Sequence, residues 1–128
     1  MTSRDSGLRL VDILDHIEEA SRLAREYVAG MSRESFLKDR RTQQAVVLNL
    51  MTIGEAAARI ANDHKEFAAA HPEIPWAQMR GMRNRMAHGY FDIDLTIVWE
   101  TVQSSLLALE GHIAAARVKL EHLTRTAC

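Results

Sequence analysis

An apolar stripe in the C-terminal part of the chain constrains the fold more than any other feature. From Asp94 onward, apolar residues recur at alternating spacings of three and four, at Leu95, Val98, Val102, Leu106, Leu109, Ile113, Ala116, Leu120 and Leu123. This spacing places all of these side chains on one face of an α-helix. The pattern therefore predicts one long helix that begins near Asp94. Gly111 inside it costs about 1 kcal/mol relative to alanine, which a stripe of this length should offset.

The same spacing predicts a first helix from about Ser6 to Val28. Its apolar face carries Leu10, Ile13, Ile17, Ala20, Ala24 and Tyr27. Gly30 is expected to end this helix, because glycine tolerates a positive φ. The following connector, residues 32–38, has room for one helical turn, and its Phe36 is predicted to enter the core.

A second helix is predicted from Asp39, a suitable N-cap residue, to about Ala61. Its stripe consists of Val46, Leu50, Ile53, Ala57 and Ile60, and it is widened by Val47, Leu48 and Met51. A helix that is apolar over so wide an arc needs two packing partners. One partner is the domain's own core. The other is either a further part of the same core or a second copy of the protein, and the periodicity favours neither.

Two prolines mark the start of a third helix. Residues 62–71 form a short segment of polar residues and alanines that ends at Pro72. Pro75 suits the first turn of a helix, which is predicted to run from Pro75 to about His88. Gly89 follows as a natural C-cap. The pattern as a whole predicts an all-α fold, an antiparallel bundle of four to five helices.

Composition and charge are those of an ordinary globular protein. The chain has 128 residues, of which 47% are hydrophobic and 26% are charged, and this predicts a single domain over residues 1–128 with residues 125–128 frayed. Its formal net charge is −1, whereas proteins that grip nucleic acid with their whole surface are strongly basic. Any contact with nucleic acid should therefore be local.

The sequence also indicates the cellular compartment. The N-terminus has no apolar signal core, and no apolar run approaches the roughly 20 residues that cross a bilayer. The single cysteine, Cys128, cannot form an internal disulfide, which suits a reducing environment. We therefore expect a cytoplasmic protein without a membrane partner.

A short basic window, Gln78 to Tyr90, holds the residues best able to do chemistry, namely Arg80, Arg83, Asn84, Arg85, His88 and Tyr90. No acidic residue occurs between Glu73 and Asp92, so this window is also the most positive part of the chain. On a helix, Arg80, Asn84 and His88 would share one face because they are four residues apart. A separate apolar stripe of Met79, Met82 and Met86 is predicted to face the core.

These side chains suit the cleavage of RNA. Cleavage needs a base that takes the proton of the 2′-hydroxyl and a cation that stabilises charge on the phosphoryl oxygens. His88 is a side chain that titrates near neutrality, and Arg83 offers planar, always-charged donors. Asn84 could orient the imidazole or contact the substrate, and Arg80 and Arg85 are candidates for further RNA contacts. The other histidines lack the spacing of metal ligands, so neither a metal nor a cofactor is expected.

The spacing of Arg83 and His88 is a geometric difficulty. Five residues correspond to about 140° around an ideal helix. The two side chains converge if the long arginine swings across or if the helix loosens at its end. They also converge if a second subunit contributes one of them.

The motif resembles a known family. Arg83 to His88 is similar to the R-N-x-x-x-H signature of HEPN-domain ribonucleases, and through Tyr90 it resembles the R-x4-H-x-Y pattern of HepT-like toxins. The stretches Arg40–Ala57 and Ile74–Val102 resemble the same family. The resemblance implies an all-α homodimer in which both motifs face one cleft. It also implies a metal-independent endoribonuclease with Arg83 and His88 as catalytic residues and Asn84 in support.

The resemblance further implies a regulatory partner. HepT-like proteins are toxins of toxin–antitoxin pairs, and the partner, MntA, resembles a minimal nucleotidyltransferase. In the family the partner silences the toxin by adding AMP units to the motif tyrosine, which is Tyr90 here. The alternative is a non-catalytic HEPN dimer that binds nucleotide or protein beside a nucleotidyltransferase. The modest net charge and the long apolar stripes motivate that alternative.

Overall fold

The computed structural model describes residues 3–87 and 93–126, and the side chains of residues 10–84 and 93–123. These residues form seven α-helices: α1 (Ser3–Tyr27), α2 (Arg33–Lys38), α3 (Arg40–Asp63), α4 (Lys65–Ala70), α5 (Trp76–Ala87), α6 (Leu95–Ser104) and α7 (Leu106–Thr126). The predicted all-α fold is confirmed. The helices outnumber the four to five predicted, because α2 and α4 are short additions and the C-terminal helix is divided. None of the described helices is long and apolar enough to cross a membrane.

The helix α3 is central to the packing. It makes extensive contacts with α1 on one side and with α5 on the other, and α1 packs in turn against α7. Leu14 and Ile17 of α1, Leu50 and Ile53 of α3, and Ile113 of α7 are fully buried in the core between them. Among the described helices, α5 has an extensive contact with α3 alone. The helix that carries the basic window therefore lies at the edge of the bundle.

Helix ends follow the predicted caps. Gly30 after α1 has a φ of +79°, the left-handed conformation that glycine adopts without strain. The carboxylate of Asp39 accepts a hydrogen bond from the backbone amide of Thr42 at 3.1 Å and caps α3. Hydrogen bonds from the backbone and the side chain of Thr42 hold the pKa of Asp39 below its ordinary value. Asp94 caps α6 in the same way. Phe36 is fully buried, as predicted.

The predicted long C-terminal helix is wrong in one respect, because the structure divides it at Ser105 into α6 and α7. The hydroxyl of Ser104 donates to the backbone carbonyl of Glu100 one turn earlier. The same kind of bond occurs inside undivided helices, at Thr52 and Thr101. It therefore does not by itself account for the division. Val102 and Leu106, on either side of the division, are both buried. The apolar spacing continues across the division, so the spacing alone could not reveal it.

Two residues predicted on apolar faces lie at the surface instead. Tyr27, the last residue of α1, is 44% exposed, and its neighbour Val28 is buried in the turn that follows. Val28 lies four residues after the buried Ala24, so the apolar face continues to Val28 and leaves Tyr27 exposed. Leu123, near the end of α7, is 63% exposed. An apolar stripe on a helix predicts buried side chains only where another helix packs against it.

The wide apolar arc of α3 is largely explained by its two neighbours. Val47 is buried, and Met51 is half-buried against the core. Leu48 is 64% exposed. The interpretation of α3 as a central helix therefore accounts for the arc except at Leu48, which faces outward.

A polar cluster joins α1 to α7. Glu110 accepts hydrogen bonds from the guanidinium of Arg25 at 2.7 Å and from the hydroxyl of Ser21 at 2.9 Å. Burial favours the neutral form of Glu110, but the hydrogen bonds from Arg25 and Ser21 outweigh it and lower the pKa of the carboxyl below its ordinary value. A second ion pair, between Arg117 and Glu18 at 2.8 Å, reinforces the same helix pair. These bonds fix the scaffold against which α3 packs.

Candidate active site on helix α5

The start of α5 is fixed by the turn that precedes it. Pro75 lies immediately before the helix, one position earlier than predicted, and its carbonyl accepts a hydrogen bond from the amide of Met79 at 3.0 Å. Proline lacks an N–H, so it loses no hydrogen bond there. The indole N–H of Trp76 donates to the carbonyls of Ala68 and His71, at 3.2 and 3.1 Å. The first turn of α5 is thereby anchored to α4.

The backbones of α3 and α5 come very close together at Gly54. A Cβ atom built on Gly54 would lie 2.4 Å from the Cβ of Arg83, 2.8 Å from the carbonyl oxygen of Met79 and 3.0 Å from the amide nitrogen of Arg83. Two of these three atoms belong to the backbone of α5, so they cannot move aside without moving the helix. Only glycine allows α5 to lie this close to α3. Gly54 therefore sets the position from which the Arg83 side chain starts.

Gly54 was not among the residues predicted for the site, although the sequence contains a signal for it. A glycine in a helix interior costs about 1 kcal/mol relative to alanine, so it usually has a packing reason. Gly54 lies inside the apolar arc of α3 and is buried. The pattern could indicate a close approach at this point. It could not indicate that the neighbour is Arg83, because that contact joins two helices far apart in the chain.

Arg83 and Asn84 form a hydrogen-bonded pair. The guanidinium of Arg83 donates through Nε and Nη2 to Oδ1 of Asn84, at 3.3 and 2.9 Å. Arg83 is half-buried and Asn84 is exposed, so the side chain of Arg83 leaves the contact with Gly54 and brings its charge to the surface. These two bonds use two of the five N–H donors of a guanidinium. The structure thus brings together two of the three residues predicted to be catalytic.

The remaining predicted residues are placed only in part. Arg80 is exposed on α5, one turn before Asn84. Arg85 lies in the last described turn of α5, but its side chain is outside the described residues. His88 and Tyr90 also lie outside the described residues, as does the predicted C-cap at Gly89. The convergence of Arg83 and His88 stays a prediction.

The apolar side of α5 agrees with its predicted pattern. Met79 is buried, and Met82 is half-buried and packs against the core. The side chain of Met86 is outside the described residues. With Met79 and Met82 inward and Arg80 and Asn84 outward, α5 presents cationic and amide groups at the surface of the bundle. Such groups suit an anionic ligand that bears phosphate.

Comparison with known proteins identifies the family. A model of the family described as "Ribonuclease HepT-like" matches residues 17–116. The chain is 41% identical over 106 residues to "Probable ribonuclease HepT" of Thermococcus cleftensis, covering 83% of this chain and 94% of that protein. It is 37% identical over 100 residues to a protein with a provisional RNase name from Caldanaerobacter subterraneus subsp. tengcongensis, covering 78% and 87%.

A protein of Methanocaldococcus jannaschii with a similar provisional RNase name is 33% identical over 102 residues, covering 80% of this chain and 78% of that protein. No solved structure matches the chain significantly. The family match spans all of α3 and α5, and so includes Gly54, Arg83 and Asn84. The chain belongs to the HepT-like ribonuclease family.

Proposed function

We propose that the protein is an endoribonuclease that cleaves RNA without a metal ion, by attack of a 2′-hydroxyl on the adjacent phosphodiester. The observation that carries the proposal is the surface pair of Arg83 and Asn84, which stand five and four residues before His88. His88 takes the proton of the 2′-hydroxyl, and Arg83 stabilises the charge that gathers on the phosphoryl oxygens. The new bond joins the 2′-oxygen to phosphorus, and the bond to the 5′-oxygen breaks as that oxygen takes up a proton from solvent water. His88 returns its own proton to solvent. The products are a 2′,3′-cyclic phosphate and a 5′-hydroxyl.

Asn84 serves this reaction by positioning Arg83. Its amide oxygen accepts two hydrogen bonds from one guanidinium, which limits the rotation of a long side chain. A cation that is already oriented needs little reorganisation when charge develops in the transition state. Arg80 and Arg85 contribute further contacts to the RNA backbone.

The chemistry of the cut gives the first prediction. A single 2′-deoxy substitution at the cleavage position is expected to abolish cutting there, because the nucleophile is removed. Cleavage of the unmodified RNA should persist in a chelator. Gel analysis of end-labelled RNA measures both results. Cutting of the deoxy substrate, or a strict requirement for a divalent ion, would contradict the mechanism. Binding to a nucleotidyltransferase without any cleavage by pure protein would favour the non-catalytic alternative.

We further propose that the active form is a homodimer. Leu48, exposed on an apolar arc of α3, supports a partner on that face. A dimer would also place three arginines of the basic window from each copy in one cleft, which gives a protein of net charge −1 a local cationic site. It would remove the difficulty of the five-residue spacing, since Arg83 of one subunit could act with His88 of the other.

The proposed regulation is modification of Tyr90 by an MntA-like nucleotidyltransferase, the antitoxin of this toxin. AMP on Tyr90 would add phosphate and adenine two residues from His88, where Arg80 or Arg83 could pair with the phosphate and exclude RNA. Incubation with the partner and ATP is expected to raise the intact mass in steps of one AMP unit. The chain has two tyrosines, so Tyr27→Phe is a matched control that should still be modified. Continued modification of Tyr90→Phe would move the target elsewhere.

A further inference from the structure

An open groove lies beside the basic window, between the end of α3, the helix α4 and the first turns of α5. Its volume is about 610 Å³. Its lining is mainly apolar and includes an aromatic ring, with Ala61, Ala69, Ile74 and Trp76 among the lining residues. The groove is large enough for a nucleotide-sized group and open enough for a chain to enter and leave.

The indole of Trp76 is held in a fixed orientation. Its N–H donates to the carbonyls of Ala68 and His71, and its ring meets that of Phe67 edge-on, with the centroids 6.2 Å apart at an angle of 64°. A side chain that is already ordered loses little conformational entropy when a ligand packs on it. Trp76 therefore offers an apolar surface that is already ordered before a ligand binds.

The charged residues of the groove have one sign. Lys65 and Arg80 line it, and the described lining residues include no acid. Two acids, Glu66 and Glu73, are adjacent in sequence to lining residues, and neither is itself among the lining residues. Glu73 lies 2.9 Å from Nδ1 of His71. The chain as a whole carries a net charge of −1, so this cationic character is local. Cations beside an aromatic surface are the combination that binds single-stranded nucleic acid.

The groove and the Arg83–Asn84 pair lie on the same helix, with Arg80 of the groove about one turn before the pair. Trp76 is seven residues before Arg83, about 10 Å along the helix axis. A strand whose phosphate lies at Arg83 could therefore extend along α5 into the groove.

We propose that this groove is a subsite for a nucleotide of the RNA substrate that neighbours the scissile phosphate. The base packs against Trp76 and the alanine-rich wall, and the phosphates contact Lys65 and Arg80. The inference rests on the proposed RNA-cleaving function, which it deepens by naming where the flanking strand binds. An apolar protein segment would suit the walls but would leave both cations without a partner. RNA satisfies both features of the groove.

Two exposed alanines on α4 provide a matched test. Ala69 lines the groove, whereas Ala70 does not, and both are exposed near the end of the same helix. A carboxylate at position 69 would repel phosphate, so Ala69→Glu is expected to weaken binding of a 2′-O-methyl oligoribonucleotide about tenfold. Ala70→Glu should bind like the wild type. Fluorescence anisotropy at fixed ionic strength measures both affinities, and circular dichroism confirms that both variants fold.

A second variant measures the phosphate contact directly. Lys65→Gln is expected to reduce the slope of log affinity against log salt by about 0.7, the contribution of one phosphate contact in a single strand. In cleavage of the unmodified RNA, Ala69→Glu should raise KM and leave kcat unchanged, because the groove lies away from the reacting phosphate.

The outcomes separate the groove from the cleavage activity. Wild-type affinity in Ala69→Glu, an unchanged salt slope in Lys65→Gln, or no oligonucleotide binding by the wild type would overturn the groove assignment. If Ala69→Glu instead lost only binding to the nucleotidyltransferase, the groove would belong to a protein partner and the proposal would be wrong. If the wild-type protein binds the oligonucleotide through the groove but never cuts RNA, the proposed function is wrong and the groove assignment stands.

Discussion

Replacement of His88 by alanine is expected to slow RNA cleavage by about 10²–10⁴-fold, the usual contribution of a positioned general base. The residues that remain after the substitution determine which kinetic constant falls. Arg83 would still be held by Asn84 and could still bind a phosphate, so substrate affinity should change little. The loss should therefore appear in kcat rather than in KM. Single-turnover cleavage of a defined RNA, at saturating enzyme, isolates this step.

The control for His88→Ala is His112→Ala, which removes an exposed histidine from α7, remote in sequence from the basic window. That variant should cleave at the wild-type rate. Wild-type cleavage by His88→Ala would end the assignment of His88 as the base. An equal loss in both variants would point to a general destabilisation rather than to lost chemistry.

The same variant also tests the shared cleft of the proposed dimer. His88→Ala and Arg83→Ala should each be inactive alone. If Arg83 of one subunit acts with His88 of the other, then mixing the two unfolded variants and refolding them together restores one complete site in each heterodimer. Activity should then recover in part. A mixture as inactive as its components would place both residues in a site within one subunit.

The helical scaffold could be predicted from the sequence because it depends on local chemistry. The spacing of three and four located α1 and α3, and Pro75 located the start of α5 to within one residue. The helices capped by Asp39 and Asp94 begin where predicted. Each of these signals lies within one or two turns of the residue it explains. Positions where a helix is divided or ends, such as Ser105 and Tyr27, were predicted less well. The apolar period persists there although the geometry has changed.

The candidate site was less accessible to sequence reasoning than the scaffold. Residue types singled out Arg83 and Asn84, and the helical spacing placed Asn84 in register with His88, which lies outside the described residues. The spacing did not indicate the hydrogen bonds from Arg83 to Asn84, because they depend on a long arginine side chain folding back onto its neighbour. The role of Gly54 was invisible for a different reason. It depends on which residue of α5 lies opposite, and helical periodicity carries no information about the register between two helices.

The close contact between Gly54 of α3 and Arg83 of α5 leads directly to a prediction for the Gly54→Ala variant. The new methyl group would meet the Cβ of Arg83 at 2.4 Å and two backbone atoms of α5 at 2.8 and 3.0 Å, so α5 must move away from α3. The displacement needed is on the order of 1 Å, and a misplacement of that size can cost about 10²-fold in rate. We expect kcat for RNA cleavage to fall by about 10²-fold.

Stability should change much less than activity. Alanine gains about 1 kcal/mol over glycine in helix propensity, while overpacking typically costs about 1–3 kcal/mol, so the two effects partly cancel. The free energy of unfolding, measured in urea, should therefore fall by no more than about 2 kcal/mol. A folded protein with a large defect in kcat would separate the positioning of Arg83 from the integrity of the bundle.

Two other helical glycines provide the comparison. A Cβ on Gly111 of α7 or on Gly81 of α5 would meet no atom within 4 Å. Gly111→Ala should stabilise the protein by about 1 kcal/mol and leave cleavage unchanged. Gly81→Ala is the sharper control, because it alters α5 itself without a new contact to α3. Should Gly54→Ala cleave as fast as Gly81→Ala, the close approach of the two helices would not be what positions Arg83. A defect confined to Gly54→Ala would show that the distance between α3 and α5 sets the rate.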